Sequence, residues 1–181
     1  MKINRVLIVL VMVFVVLAAL VAIQSTQHPV TASGPTPTPI DAPLFTDFTL
    51  DNIVGIRLRS PETGATFVLA RASDGSWTAP ENRGTLNPTE ADNLARTMVL
   101  LPFSSTVAFS EDKTTYGFTP QGILAIEIVL TNGTTHAVEV GYRTPTGNSY
   151  YALVDTRSNL YLLDRAPVDY IISRLKSPPV S

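Results

Sequence analysis

The residues of this chain best suited to chemistry or recognition gather in one short run, VGYRTPTGNSYYALV. Tyr142, Arg143, Asn148, Tyr150 and Tyr151 surround a Gly/Pro-rich loop, and Tyr with Arg is the composition of binding patches. Strand alternation puts Tyr150 and Tyr151 on opposite faces, so one of the two is expected in the core. A ligand or partner site is expected here. A second candidate is His136, the one histidine beyond His28. As the base of a serine hydrolase it would need a Ser and an Asp within reach; its alternation with Leu130 instead suggests a packed strand histidine. The third is a carboxylate pair, Glu127 and Glu139. A three-residue turn at Asn132–Thr134 would pair Ile128 with Val138 and set the two glutamates opposite each other on the outer face. Like charges so placed destabilise a sheet by tenths of a kcal/mol. Solvation or an arginine such as Arg57 would relieve them, or a cation or basic partner would bridge them. No Gly-rich phosphate loop follows a strand and no His/Asp/Glu cluster has metal-ligand spacing, so neither cofactor nor metal is expected.

The elements that must position these residues follow from periodicity. In IVGIRLRS, Val54, Ile56 and Leu58 share a face, and in TFVLAR Phe67 and Leu69 do. A four-residue loop, Pro61–Gly64, sets Leu58 opposite Phe67 and Ile56 opposite Leu69. Asp74-Gly75-Ser76 is turn chemistry, and Trp77 after it is expected to anchor the core with its indole N–H at the rim. NPTEADNLARTMVLLP predicts a helix with Asn87 as N-cap, Pro88 at the first helical position and Glu90 completing a capping box; Ala91, Leu94, Met98 and Leu101 are its buried stripe. A short strand is expected at Thr106–Phe109. LAIEIVLTNGTTHAVEV forms a second hairpin with Leu124, Ile126, Ile128 and Leu130 inward. Strands Ser149–Val154 and Leu160–Leu163 come next, and then a helix opened by Pro167 that buries Val168, Ile171, Ile172 and Leu175. Strands and helices in separate runs imply an α+β domain, a mostly antiparallel sheet built from hairpins with two helices packed on it.

Ahead of this domain lies Val6–Ile23, 18 consecutive apolar residues of which 14 are Leu, Ile, Val or Phe. As a helix the segment is about 27 Å long, enough to span the hydrocarbon core with little tilt. Insertion gains about 4–8 kcal/mol. A signal peptide is the competing reading, but its apolar core usually has about 7–15 residues, and the best small-x-small site, Val30-Thr31-Ala32, lies well past the run. An uncleaved transmembrane helix is favoured. Lys2 and Arg5 precede the segment and keep the N-terminus inside, so the domain is extracytoplasmic on the cell membrane. Gln24–Pro43, rich in Pro and Thr, reads as a disordered linker that could extend about 60 Å. Residues 44–176 form the domain and 177–181 a tail.

Two of the 13 basic residues, Lys2 and Arg5, come before the apolar run, which leaves 11 against 15 acidic residues and a net charge of −4 for the remainder. With no basic cluster, nucleic acid is not an expected partner; the membrane and a protein of the envelope are. The chain has no cysteine, so packing alone must stabilise it.

The Ile-rich hairpin followed by DGSW, the capped helix, TTYGFTP, the hairpin around TNG and the run VGYRTPTGNSYYALVDTRSNLYLLD together resemble a bacterial family of exported proteins, the domain-of-unknown-function family 4340. The likeness covers nearly the whole folded part. The family's central motif usually reads Tyr-Gly-Leu-acid-x-Pro; Tyr116, Gly117 and Pro120 are shared with it, the proline coming one residue early, while Phe118 and Thr119 depart. The resemblance implies a membrane-anchored extracytoplasmic domain, in some relatives associated with transport-system genes, and no known reaction. The reading is therefore of a single-span anchored binding or scaffold domain rather than an enzyme. The alternative is an exported hydrolase acting on cell-wall polymer or peptide.

Overall fold

A computed structural model describes residues 42–82, 84–108 and 112–181. The proposed membrane helix, and the linker up to residue 41, lie outside the described residues. Among those described, no helix is long and apolar enough to cross a membrane.

The described chain is α+β. Its strands are β1 (Ala42–Pro43), β2 (Ile53–Arg59), β3 (Thr66–Arg71), β4 (Trp77–Thr78), β5 (Pro102–Ala108), β6 (Leu124–Leu130), β7 (Thr135–Arg143), β8 (Ser149–Val154) and β9 (Asn159–Asp164); the α-helices are α1 (Pro88–Val99) and α2 (Arg165–Lys176). All nine strands make one antiparallel sheet in the order β1-β5-β9-β8-β7-β6-β2-β3-β4. The inner face gathers Ile56, Leu58, Phe67, Leu69, Leu124, Ile126, Ile128, Val138, Val140, Ala152 and Leu163 into one core with Leu94 and Met98 of α1 and Val168 and Ile171 of α2. Fully burying one such Leu or Ile contributes about 1.5–3 kcal/mol. Glu90 ties the helices together by accepting from Arg174 at 3.1 Å and from the Tyr170 hydroxyl at 3.4 Å.

Hairpin β2–β3 has the register that alternation predicts, Leu58 on Phe67 and Ile56 on Leu69, around Pro61–Gly64. Other expectations need correction. A bulge at the start of β2 buries Ile53 and leaves Val54 only half-buried. Asn87 caps α1 by accepting from the backbone N–H of Thr89 and Glu90, but Glu90 does not return to the cap because its carboxylate is taken by Arg174 and Tyr170. The expected short strand begins earlier, at Pro102, because Leu44 and β1 line up against the end of α1 and the start of β5; Phe109 lies outside the described residues. Ala42 and Pro43 are therefore strand rather than linker. Trp77 Nε1 is buried with no hydrogen-bond partner among the described residues instead of reaching the rim, and the Arg71 guanidinium lies over its ring at 5.1 Å. The C-terminal residues are pinned too: Val180 bridges to Leu86, and Ser181 exchanges backbone bonds with Thr85.

The β6–β7 hairpin keeps the predicted faces but shifts by two residues. Leu130 N–H donates to Thr134 O and Gly133 N–H to Leu130 O, so the three-residue loop is Thr131–Gly133 with Gly133 left-handed at φ 83°. A type I turn followed by one left-handed residue puts the glycine last in such a loop, which fixes this register over the one expected. Ile128 pairs with His136 and Ile126 with Val138.

Candidate functional site

The site is built on a break in β7. Val140 pairs with Ala152 and Arg143 with Tyr150, so two β7 residues, Gly141 and Tyr142, face one residue of β8. Glycine is required at 141 because the strap Lys113–Pro120 crosses there: a Cβ would strike the Tyr116 carbonyl and the Phe118 ring, and Tyr142 N–H donates to Tyr116 O at 2.8 Å. A bulge inserts one residue and reverses the sidedness of the strand beyond it. Tyr142, which strict alternation would bury, is 54% exposed, and Arg143 comes opposite the buried Tyr150 on the helix side of the sheet.

There the chain closes a compact network. Arg143 Nε donates to the Tyr150 hydroxyl at 2.7 Å and Nη2 to Asp169 Oδ1 at 2.8 Å; the Tyr150 hydroxyl donates to the same Oδ1 at 2.6 Å; Arg165 Nε donates to Oδ2 at 2.9 Å. The Arg143 guanidinium also lies 5.2 Å from the Tyr150 ring centroid, within cation–π range. Burial pushes the Tyr150 phenol above its ordinary value, and its bond to Asp169 adds to this, since the neutral phenol is the donor. Burial works against the Asp169 carboxylate, but the hydrogen bonds from Tyr150, Arg165 and Arg143 outweigh it and hold the carboxyl below its usual range. Arg143 is raised by its bonds to Tyr150 and Asp169. The guanidinium is thus held in one orientation without being sealed, its side chain 45% exposed.

It faces a cleft of about 630 Å³ between the β2–β3 loop, the bulge and α2. Asp169, Ile172, Ser173 and Lys176, spaced i, i+3, i+4, i+7, present one helical face to it. Glu62 and Thr63 come from the opposite wall, Ile123 and Tyr150 are also in the lining, and Tyr142 stands beside Arg143. A second cleft of about 400 Å³ shares Glu62, Ile123 and Tyr142 with the first and continues along Pro120 and Gly122. Comparison of the chain with family models, with curated proteins and with solved structures returns no match. The site must be read from its own geometry.

Of the five residues expected to bind, Tyr142, Arg143 and Tyr150 line this cleft. Tyr151 is on the other face, its ring against Tyr116 at 5.0 Å and 69°. Asn148 lines a separate surface hollow with Asp164, Arg165 and Asp169. Sequence reasoning missed Asp169, Glu62 and Lys176. The i,i+4 pair of Arg165 and Asp169 was visible in the sequence, but such pairs are common on helix surfaces and carry no hint of a third partner on a distant strand.

The carboxylate pair does not form. The two-residue shift puts Glu127 opposite Ala137 and Glu139 opposite Ala125. Glu127 instead neighbours Arg57 of β2, with Nε 4.0 Å from its Oε2, and Glu139 Oε1 accepts the Gly122 N–H at 2.6 Å. Each acid has its own local partner, and the direct opposition that suggested a bridging cation does not form.

His136 is enclosed. Its Nδ1 contacts Asp155 Oδ2 and its Nε2 contacts Asp47 Oδ2, each at 3.0 Å, while the rings of Phe45 and Phe48 lie 4.5 and 5.4 Å away. With both nitrogens held by carboxylates, neither is left to take a proton from a serine hydroxyl, which the hydrolase reading needs. Asp155 also accepts the Ala137 N–H at 2.7 Å, so the cluster joins the arm before β2, β7 and the β8–β9 turn.

Proposed function

We propose that the chain is a single-span, membrane-anchored extracytoplasmic domain that binds or scaffolds a partner in the envelope, with the cleft beside Arg143 as its binding site. The observation that carries this reading is the combination at that cleft of a guanidinium fixed by Tyr150 and Asp169 with an exposed Tyr142 set on a bulge. Orienting a cation and an aromatic before any ligand arrives lowers the ordering cost of binding. The anchor is supported by the transfer energy of the apolar run Val6–Ile23 and by the basic residues ahead of it. The resemblance to exported proteins, some associated with transport-system genes, makes a transport assembly the first partner to seek.

Two measurements test this. In native membranes the chain is expected to resist carbonate extraction and to lose its domain to protease added outside; release by carbonate, or protection from outside protease, removes the anchor or the orientation. A photo-crosslinking residue at position 142 is expected to give a discrete adduct that one at position 57, on the outer sheet face, does not. Identical adduct patterns from both positions would refute the cleft as the binding site.

A further inference from the structure

Resting on the reading of the cleft as a binding site, we infer that its ligand is a peptide segment ending in a free carboxylate, with that carboxylate held by Arg143 and Lys176. The charges of the cleft are not evenly spread. Of the two adjoining clefts, Arg143, Asp169 and Lys176 line only the first, whereas Glu62 lines both and so marks the junction. At the Arg143 end Asp169 is shared between two guanidinium groups, Arg143 and Arg165, so it does not fully neutralise Arg143, and Lys176 adds a second cation to the cleft. An excess of cation along the α2 wall, with Arg143 at Asp169 and Lys176 two turns farther on, and an acid at the junction complement a chain that is anionic at its terminus and carries N–H donors farther back.

The Arg143 side chain suits a carboxylate because its plane is fixed by the Nε–Tyr150 and Nη2–Asp169 bonds while nearly half of it remains exposed. A fixed guanidinium fork offers paired N–H donors at the spacing of carboxylate oxygens. Lys176, exposed at the last position of α2, adds a mobile charge. The body of the ligand would lie on Tyr142, Ile123 and Ile172, with the hydroxyls of Thr63 and Ser173 set among them. Apolar walls interrupted by hydroxyls match a peptide, whose amides recur along its length, better than a plain hydrocarbon chain. The two clefts adjoin at Glu62, Ile123 and Tyr142, so a ligand of several residues that follows the first cleft reaches the second.

The test uses the full chain in lipid nanodiscs, titrated calorimetrically with N-acetyl-Leu-Leu as the free acid, with its C-terminal amide, and with hexanoate. The acid is expected to bind at least tenfold more tightly than the amide, with hexanoate weaker than both. Arg143→Lys should abolish most of the acid's preference, Lys176→Ala should reduce acid binding several-fold while leaving the amide unchanged, and Tyr142→Ala should weaken acid and amide alike. Lys176 makes no ion pair within the described fold, so its variant separates recognition from folding should Arg143→Lys unfold the domain. Equal affinity for acid and amide, both weakened by Tyr142→Ala, would overturn carboxylate recognition and leave the binding site standing. Tighter binding of hexanoate would overturn the peptide. Failure of the wild type to bind any of the three would also overturn this inference, whereas the binding reading itself falls only with the crosslink at position 142.

Discussion

Asp47–His136–Asp155 and Arg143–Tyr150–Asp169 are built from similar parts, yet they end in opposite conditions. Each joins residues far apart in the chain, and each sets a polar ring against carboxylate. Around His136 the capacity is used up: two carboxylates take the two ring nitrogens, two phenylalanines cover the ring, and the side chain is 10% exposed. Around Arg143 the same kind of bonding fixes a side chain but leaves it 45% exposed toward a cleft. Saturation makes a clasp, and spare donors on a fixed group make a site.

The comparison breaks most readily at the clasp. His136→Ala removes the ring that links the two carboxylates and opens the space beside Phe45 and Phe48. A loss of about 2–4 kcal/mol is expected, chiefly from the cavity beside the two rings, with a smaller share from the two lost hydrogen bonds. Urea denaturation of the full chain measures it, and Tyr142→Ala in the same series should cost no more than about 1 kcal/mol, as for a half-exposed side chain whose ring rests on Gly117. Similar losses from the two variants would mean that clasp and site do not differ in exposure and saturation as the geometry implies.

The next largest effect concerns the bulge. Gly117 has φ +82°, and a Cβ there would run into the Tyr142 ring, so Gly117→Ala combines backbone strain with a steric push on the residue that borders both clefts. The strained backbone alone is worth about 1–3 kcal/mol. The expected result is a lower unfolding midpoint together with a changed chemical shift for the Tyr142 ring. A drop in stability with an unmoved Tyr142 would separate the strap from the site.

How much of this was legible in the sequence depends on the range of the interaction that sets each feature. Hairpin β2–β3, the Asn87 cap and the inner face of β6 follow from residues within a turn or two of each other, and alternation and capping chemistry find them. The register of β6–β7 escaped because a two-residue slip preserves which face every side chain occupies; only the requirement of Gly133 for a left-handed conformation decides it. The false carboxylate pair came directly from that slip. Tyr142, Arg143 and Tyr150 were found from composition, but their relation was not, since the bulge that turns Arg143 toward Asp169 is caused by the strap around Gly117, over twenty residues before it in the chain. Asp169 and Lys176 gave no signal of their own, being ordinary charges on an amphipathic helix until the fold sets the cleft beside them.

The smallest expected effect sharpens the comparison by asking whether the site contributes to stability at all. Asp169 has its folded-state carboxyl pKa below the ordinary 3.8, chiefly because the bonds from Tyr150, Arg165 and Arg143 overcome the cost of its burial. A group depressed in this way stabilises the fold above the unfolded value, and the contribution disappears as pH falls through the lower folded value. The wild type should therefore lose stability more steeply than Asp169→Asn between pH 5 and the strongly acid range, roughly from one unit above the unfolded value downward. Because the side chain is 35% exposed, solvent screening keeps the difference below about 1 kcal/mol. Tyr150→Phe removes one of the three donors and should give an intermediate acid limb. Parallel acid limbs for all three proteins would mean that the network orients Arg143 without stabilising the fold, which would place the two clusters further apart in role than their shared chemistry suggests.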